Sequence, residues 1–506
     1  MRTASEAIDA INELENAFPV QTWRAGDIDL WPSYRIRLFG AALDGMLLEH
    51  GAVGPIERAH RLAERAARAL WRVPLAAWRD RRANAALHPD TSAVFLSDGV
   101  SYLKLGNAWF DKYLDPVLDA LEVRGLRGLK LTPLAEAHVP RHRPSRFVQP
   151  SIDRIKLLAT RHPPLEIAQF DALCQAAVTT FGAQTPSRNW LRIQAARLDA
   201  LAKWFGQWLA HSGAHCAFVN TYYSLEGQAF VQAARRLGLQ SIDLQHGMQG
   251  PHHVAYARWA AIPAGGYSTL PDQFWVWGHE EAAAIEAWSH GLARHRPLVT
   301  GNYWLQRWAD DTEPMVAEYF KSAQSLRAPA PATAQVLVCL TWGVAEEETD
   351  KLIEAAKQCG PSVGWWWRLH PVESGRRVEL AARLQRQGLD GSVVGPATDL
   401  PLFALVRSAD LVVAHSSTVI QEAATLGVPS VVTSDYGAEL HSDLVSQGIA
   451  LHAIDGKTIA HAVATLAARP RLVGRSPTVT TDLLQAAVDE MFYPAPKAPS
   501  VAKATP

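Results

Sequence analysis

From residue 213 onward the apolar positions fall into a regular alternation. Short unbroken apolar runs, the pattern of strands buried on both faces, alternate with stretches in which apolar residues recur every three or four positions, the pattern of one-sided helices. HCAFVNTYY reads as a strand, SLEGQAFVQAARRLGL as a helix closed by Gly238, and QSIDLQHG as the next strand. Strand, crossover helix, strand is the unit from which parallel sheets are built. DQFWVWG (272–278) and HRPLVTGN (295–302) continue the series. A second series begins after 335. VLVCLTWG, SVGWWWRLHP, SVVG, ADLVVAHSS and VPSVVTSD read as strands. EEETDKLIEAAKQC, RVELAARLQRQG, DLPLFALVRS and TVIQEAATLG read as the helices between them. Each series predicts an open doubly wound α/β sheet, in which ligands sit at the carboxyl ends of the strands.

Upstream the pattern is helical through 1–90, with apolar residues at helical spacing in 33–50 and 57–79. AVFLS (93–97) is a short strand running into an Asp98-Gly99 turn, 108–124 reads as a helix, and GLKLTPL as another strand. Residues 138–164, rich in Pro, Arg and His, read as a loop. SLRAPAPATAQ (325–335) lacks large apolar groups and reads as a linker. At 506 residues the chain exceeds the roughly 250–300 over which one core grows, so two domains are expected. The expected division is a helical region 1–90, a Rossmann-like domain 91–324, the linker, a second Rossmann-like domain 336–492, and a disordered tail 493–506.

Hydrophobic residues make up 48% and charged residues 20%, enough apolar material for two cores. The net charge of −1 supplies no global field for nucleic acid, so none is expected as a partner. Four cysteines (Cys174, Cys216, Cys339, Cys359) show neither pairing nor CxxC spacing, which suits a reducing compartment and no zinc site. The N-terminus lacks the basic and apolar regions of a signal peptide, and no run of roughly 18 apolar residues occurs. A cytoplasmic protein is expected, with contact to the inner face of the cytoplasmic membrane left open. Most of the eighteen tryptophans read as core, with a few available to stack on sugar rings.

Chemistry concentrates where strands end. ADLVVAHSSTVIQEAATLG runs a buried strand into Ser416, Ser417 and Thr418 and then a helix, a place where hydroxyls and backbone N–H groups can hold a phosphate. Glu422, one turn on, can hold ribose hydroxyls; the plainer role for these residues is an N-cap. In WRLHP, Pro371 ends the strand so that His370 emerges at its carboxyl end, with Arg368 on the same face. A histidine there can donate to a leaving phosphate. LQHG ends a first-half strand on Gln245-His246-Gly247, and His246 suits either a general base toward an acceptor hydroxyl or a donor to a phosphate. Glu226, in the first turn after CAFVNTYY, is either a second base or a charge placed favourably on the helix dipole. Thr341 and Gly343 lie in the first strand-to-helix loop of the second half. Neither GxxxxGK[ST] nor HExxH is present, no GxGxxG follows the first strand, and no DxD follows an apolar strand. A metal-independent reaction with no cofactor is expected.

LQHG, FWVWG, VTGN, WRLHP and HSSTVIQEAATLGVPSVV, in that order over roughly residues 213–435, resemble bacterial surface-polysaccharide glycosyltransferases of GT-B fold. The HP and Ser-Ser pairs are similar to those of sialyltransferases and the Kdo transferases of capsule synthesis, where they bind the phosphate and nucleoside of a CMP-sugar. QHG and HP also resemble glycerophosphotransferases that use CDP-glycerol. The resemblance implies a nucleotide-sugar donor held by His370, Pro371, Ser416 and Ser417, and a polysaccharide or glycolipid acceptor; with the strand-end reading, Arg368, Thr418, Glu422, Thr341 and Gly343 are further expected donor contacts, and His246, Glu226 and His370 the expected catalytic residues. Sialyltransferases carry two acidic residues before a glycine; Leu225-Glu226-Gly227 carries one. A sugar 2-epimerase of related fold, and a non-catalytic nucleotide-sugar-binding partner in polysaccharide assembly, complete the alternatives.

Overall fold

The computed structural model describes residues 3–42, 90–133, 139–182, 185–310, 312–342, 346–469 and 481–493. The helix expected at 57–79 lies outside them. A seven-stranded sheet runs, in space, Arg296–Val299, Gln273–Val276, Gln240–Leu244, Cys216–Val219, Ala93–Leu96, Gly128–Thr132, Ser145–Phe147, every pair parallel. Its winding reverses between Ala93–Leu96 and Cys216–Val219. A five-stranded parallel sheet runs Val363–Arg368, Ala334–Cys339, Leu411–Ala414, Ser430–Val432, Ala450–His452 and reverses between Ala334–Cys339 and Leu411–Ala414. Both are doubly wound Rossmann-like sheets. The strand expected at SVVG is a single bridge, Trp366 to Val393, because Gly395–Asp399 already turns into a helix.

Alternate residues of each strand feed opposite layers. Val94 and Leu96 join one core while Ala93 and Phe95 join another, and Val336 and Val338 oppose Leu337 and Cys339 in the same way. Trp31, Trp208, Trp275, Trp308, Trp366 and Trp367 are fully buried, so these tryptophans are core. Trp342 is 43% exposed.

Several segments depart from the sequence pattern. Helices Ala4–Ala17 and Trp31–Ala42 pack into the core of the first sheet and do not stand apart as a helical region. A hairpin, Tyr102–Leu105 with Ala108–Asp111, precedes the helix Leu114–Val123, so 108–124 is not one helix. The 138–164 segment contains the edge strand Ser145–Phe147 and the helix Gln149–Leu158. Pro150 sits in that helix's first turn, where its missing N–H breaks no bond. Helices Tyr303–Ala309 and Pro314–Gln324 pack on the second sheet through Trp304, Trp308 and Val316, so the chain changes domain upstream of 325–335. The Ala/Pro-rich stretch is pinned inside the second domain, where Trp366 Nε1 donates to Leu326 O (3.0 Å) and Arg327 pairs with Asp410 (2.6 Å). Helix Thr481–Phe492 returns to the first domain, burying Leu484 and Val488 beside Phe95 and Leu114.

Contacts tie the two domains. Leu105 and Phe110 of the hairpin are buried in the second domain's core, Phe110 stacking on Trp304 at 5.3 Å. At the other end of the chain's first helix, the N–H groups of Ala4 and Ser5 donate to the Glu439 carboxylate, both at 2.9 Å. Glu439 belongs to the second-domain helix Asp435–Leu440.

The N-terminal segment is held by a fully buried ion pair, Arg35 Nε to Glu15 at 2.7 Å. Glu15 also accepts from Trp31 Nε1 (2.7 Å) and Ala260 N (2.6 Å). Arg35→Met strands that carboxylate without its partner and is expected to lower the unfolding free energy by roughly 3–5 kcal/mol, read by urea denaturation. A loss of about 0–1 kcal/mol, the range of an exposed pair, would show the segment to be uncoupled from the first core.

Candidate functional site

The carboxyl ends of the two sheets face each other, and the two polar strand ends meet. Met248 N, just past Gln245-His246-Gly247, donates to Thr418 Oγ1 at 3.0 Å. Gln245 and Gln421 both turn their amide nitrogens to one oxygen of Glu281, each at 3.4 Å. Thr418 therefore spends its hydroxyl on the other domain and gives no side-chain cap to the helix Val419–Thr425. Ser417 Oγ accepts from Val419 N at 3.3 Å instead, and Ser416 Oγ lies 3.1 Å from His415 Nδ1. The ring of His441 hydrogen-bonds the backbone of Ser417, and burial lowers its pKa to about 4. Among the described residues, buried His441 Nε2, Gln249 Oε1 and Gln421 Oε1 have no hydrogen-bond partner.

His246 is half-buried, with Nε2 at 3.2 Å from Tyr223 Oη. Burial lowers its pKa to about 4; the positive charge of Lys112 adds to this and a backbone bond at Leu244 opposes it. At neutral pH it is an uncharged imidazole, able to accept a proton. His370 is half-buried too, and its Nδ1 accepts from Val372 N (3.3 Å), capping the turn Pro371–Arg376. This fixes the ring and leaves Nε2 for other partners. Its pKa is lowered by burial, then by the charges of Lys112 and Arg368.

Three expected site residues are placed differently. Arg368 turns Nη1 to the carbonyls of Ala397 (2.8 Å) and Leu400 (2.6 Å), so it braces the segment after the bridge at Val393. Glu226 is paired with Lys156 at 2.7 Å, and Gly227 beside it is required by packing, since a Cβ there collides with the carbonyl of Thr221. The Glu-Gly pair thus has a structural account without a base. Glu422 is 7% exposed, burial raises its carboxyl to about 7, and the charge acting against that rise is Lys112 of the first domain. Thr341 lines a cavity of about 70 Å³ with His415, Thr433 and Glu348 at the second sheet's winding reversal. Gly343 lies outside the described residues.

Lys112 carries no motif, and sequence reasoning passed over it. It follows the hairpin, and its neighbours are clamped. Asp111, fully buried, accepts from Ser97 Oγ (2.8 Å), Tyr113 N (3.3 Å) and Leu114 N (3.1 Å), while Lys112 N donates to Ser101 O (3.2 Å). The signal available in sequence was an Asp-Lys-Tyr run between a strand and a helix.

No family model matches the chain, and no curated protein matches it. Among solved structures, the UDP-GlcNAc 2-epimerase of Methanocaldococcus jannaschii in complex with UDP-GlcNAc and UDP is similar over 80% of this chain and 99% of its own, at 12% identity and TM-score 0.50. The glycotransferase of kitacinnamycin aligns over 79% of this chain and 95% of its own, at 16% identity and TM-score 0.42. Os79 from O. sativa in complex with UDP aligns over 79% and 96%, at 12% identity and TM-score 0.44. The strand orders and the likeness to the M. jannaschii protein give this chain the GT-B fold, two facing Rossmann-like domains.

The raised carboxyl of Glu422 has a measurable consequence. A carboxyl whose folded pKa stands above its unfolded value of 4.5 contributes stability fully present below 4.5 and lost as pH rises through about 7. Glu422→Gln is expected to remove a downward slope of up to about 1.4 kcal/mol per pH unit, measured by urea denaturation across that window. Identical slopes in both proteins would return Glu422 to an ordinary solvated carboxylate.

Proposed function

We propose that the chain is a metal-independent glycosyltransferase that moves a sugar from a nucleotide donor to a hydroxyl of a polysaccharide or glycolipid acceptor. The observation that supports this best is the meeting of QHG with Ser-Ser-Thr across the cleft, at the Met248–Thr418 contact. It sets a neutral histidine from one sheet opposite a cluster of hydrogen-bond donors from the other. The neutral imidazole of His246 accepts the acceptor hydroxyl's proton as that oxygen bonds to the anomeric carbon. The bond from that carbon to the phosphate oxygen breaks, and in this reading Ser416, Ser417 and His370 Nε2 donate to the leaving phosphate. Fixed donors aimed at developing charge are the largest contribution in such a site. Glu226 is the weaker candidate base, because its proton acceptance requires release of Lys156.

The HP and Ser-Ser pairs favour a cytidine donor, a CMP-sugar such as Kdo or a sialic-acid-like sugar. CDP-glycerol-type transfer, with attack at phosphorus, uses the same groups. The M. jannaschii likeness favours a second reading, a UDP-sugar 2-epimerase, which needs no acceptor. No helix among the described residues is long and apolar enough to cross a membrane.

A thermal-shift panel of CMP, CDP, UDP and GDP in EDTA tests the donor. CMP or CDP is expected to stabilise, by about 2.7 kcal/mol at 100 times its Kd, and product formation from the matching donor sugar is expected to survive chelation. A shift with UDP alone, with UDP-GlcNAc isomerised in the absence of acceptor, would replace transfer with epimerisation. His370→Ala is expected to cut kcat roughly a hundredfold to a thousandfold, as loss of an oxyanion donor does, with little change in melting temperature. A large fall in melting temperature with kcat per folded molecule preserved would make His370 only the cap of its turn.

A further inference from the structure

One charged group in the cleft is used neither by the motifs nor by the proposed reaction. Lys112 is half-buried, and its Nζ makes no hydrogen bond or ion pair with any described residue; it lies over the face of the Tyr113 ring, 4.9 Å from its centre. Other buried or half-buried cations nearby in the fold are satisfied. Lys130 pairs with Asp115, Arg35 with Glu15, Lys156 with Glu226, and Arg368 with two backbone carbonyls. We infer, resting on the nucleotide-donor reading, that Lys112 is the anion-binding group of the cleft, an ammonium that the first domain extends to a phosphate held by the second.

The placement follows from the rings beside it. Lys112 Nζ lies 4.9 Å from the centre of the Tyr113 ring, and that ring lies 6.3 Å from the ring of His246 at the end of a first-domain strand. His370 and Glu422, in the second domain, also feel its charge. Glu422, Asp98 and Asp111 are the carboxylates that in turn act on it, and none of them closes to an ion pair. Asp98 is unavailable, because its oxygens already accept from Val100 N (2.8 Å), Ser101 N (3.1 Å) and Ser101 Oγ (3.0 Å). Glu422 is held within the helix Val419–Thr425. Nor can the lysine backbone move to meet them, since Asp111 and Ser101 fix it on both sides.

A desolvated ammonium without a counter-ion is costly, and a phosphate supplies both the charge and charge-assisted hydrogen bonds. The surrounding groups suit phosphate better than a carboxylate. Ser416, Ser417 and His370 offer single donors, and a lysine serves as a point charge without the fork that a planar carboxylate prefers. Because the ammonium comes from the first domain and the hydroxyls from the second, a bound phosphate bridges the domains.

The test is calorimetric titration of the full chain, wild type against Lys112→Met and Lys112→Arg, with pyrophosphate, CMP, CDP and UDP as phosphate probes and cytidine and uridine as phosphate-free controls. Methionine keeps the apolar stem; Lys112→Gln is the second neutral variant if methionine lowers the melting temperature. The neutral variants are expected to weaken the phosphate probes about 10- to 100-fold, the worth of a hydrogen bond to a charged group. Nucleoside binding is expected to stay unchanged, and arginine to restore much of the loss. Equal affinity of wild type and neutral variants for a nucleotide overturns the role of Lys112 and leaves the nucleotide reading standing. Binding of pyrophosphate but no nucleotide by the wild type, lost in the neutral variants, keeps Lys112 and overturns the nucleotide reading. Binding of neither by the wild type overturns both.

Discussion

Parallel strands cannot be joined by tight turns; each must be followed by a crossover that carries the chain back to the starting edge. In this chain that requirement acts twice, once in each large sheet. Covered on both faces, the strands hold mostly apolar side chains, with Lys130, Asp243 and Gln335 among the buried exceptions, and many polar groups stand where strands run out. All carboxyl ends of one sheet open on the same edge, so facing two such edges gathers every strand-end polar group of the chain into one seam. The Met248–Thr418 contact lies in that seam, and His246, His370 and His415 each follow the carboxyl end of a parallel strand. A site for a bound, charged ligand then follows from topology, and the particular residues decide which ligand.

The hairpin Tyr102–Leu105 with Ala108–Asp111 supplies what topology alone does not. It leaves the first sheet and buries Leu105 and Phe110 in the second domain's core. Its return leg ends at Asp111, whose carboxylate holds Ser97 and the next two backbone amides beyond Lys112. The apolar anchor of Leu105 and Phe110 and the buried carboxylate of Asp111 thus fix a cation at the junction of the domains.

The fold was legible because its signal is repeated. Apolar runs such as CAFV and LVVA, spaced by helical stretches, leave no arrangement but parallel sheets. The strand ends were legible for the same reason, since QHG, HP and Ser-Ser each close such a run. What stayed hidden depends on partners distant in sequence. Nothing in TDLLQAAVDEMF says that the helix packs on the first sheet, and nothing in the Ala/Pro content of 325–335 says that Trp366 and Asp410 pin it. Proline misled at 138–164 because Pro150 occupies the one helical turn that tolerates it. Within the site, Arg368 had the right strand face and the wrong occupation, since two carbonyls 29 and 32 residues away claim its guanidinium. Glu226 had a distant partner in Lys156, and Lys112 owes its position to a hairpin read as part of a helix.

The grip of Glu439 on the first turn of Ala4–Ala17 sets a scale for the opening of the seam. A carboxylate at a helix N-terminus gains about 0.3–1 kcal/mol from the dipole, and parting the domains there surrenders it. An energy of that size is a catch and not a lock. Beside the burial of Leu105 and Phe110 in the second domain's core it is the smaller tie, worth a few-fold in an equilibrium. The first helix, far in sequence from every motif, thereby adds a weak, breakable contact to a junction that the hairpin holds.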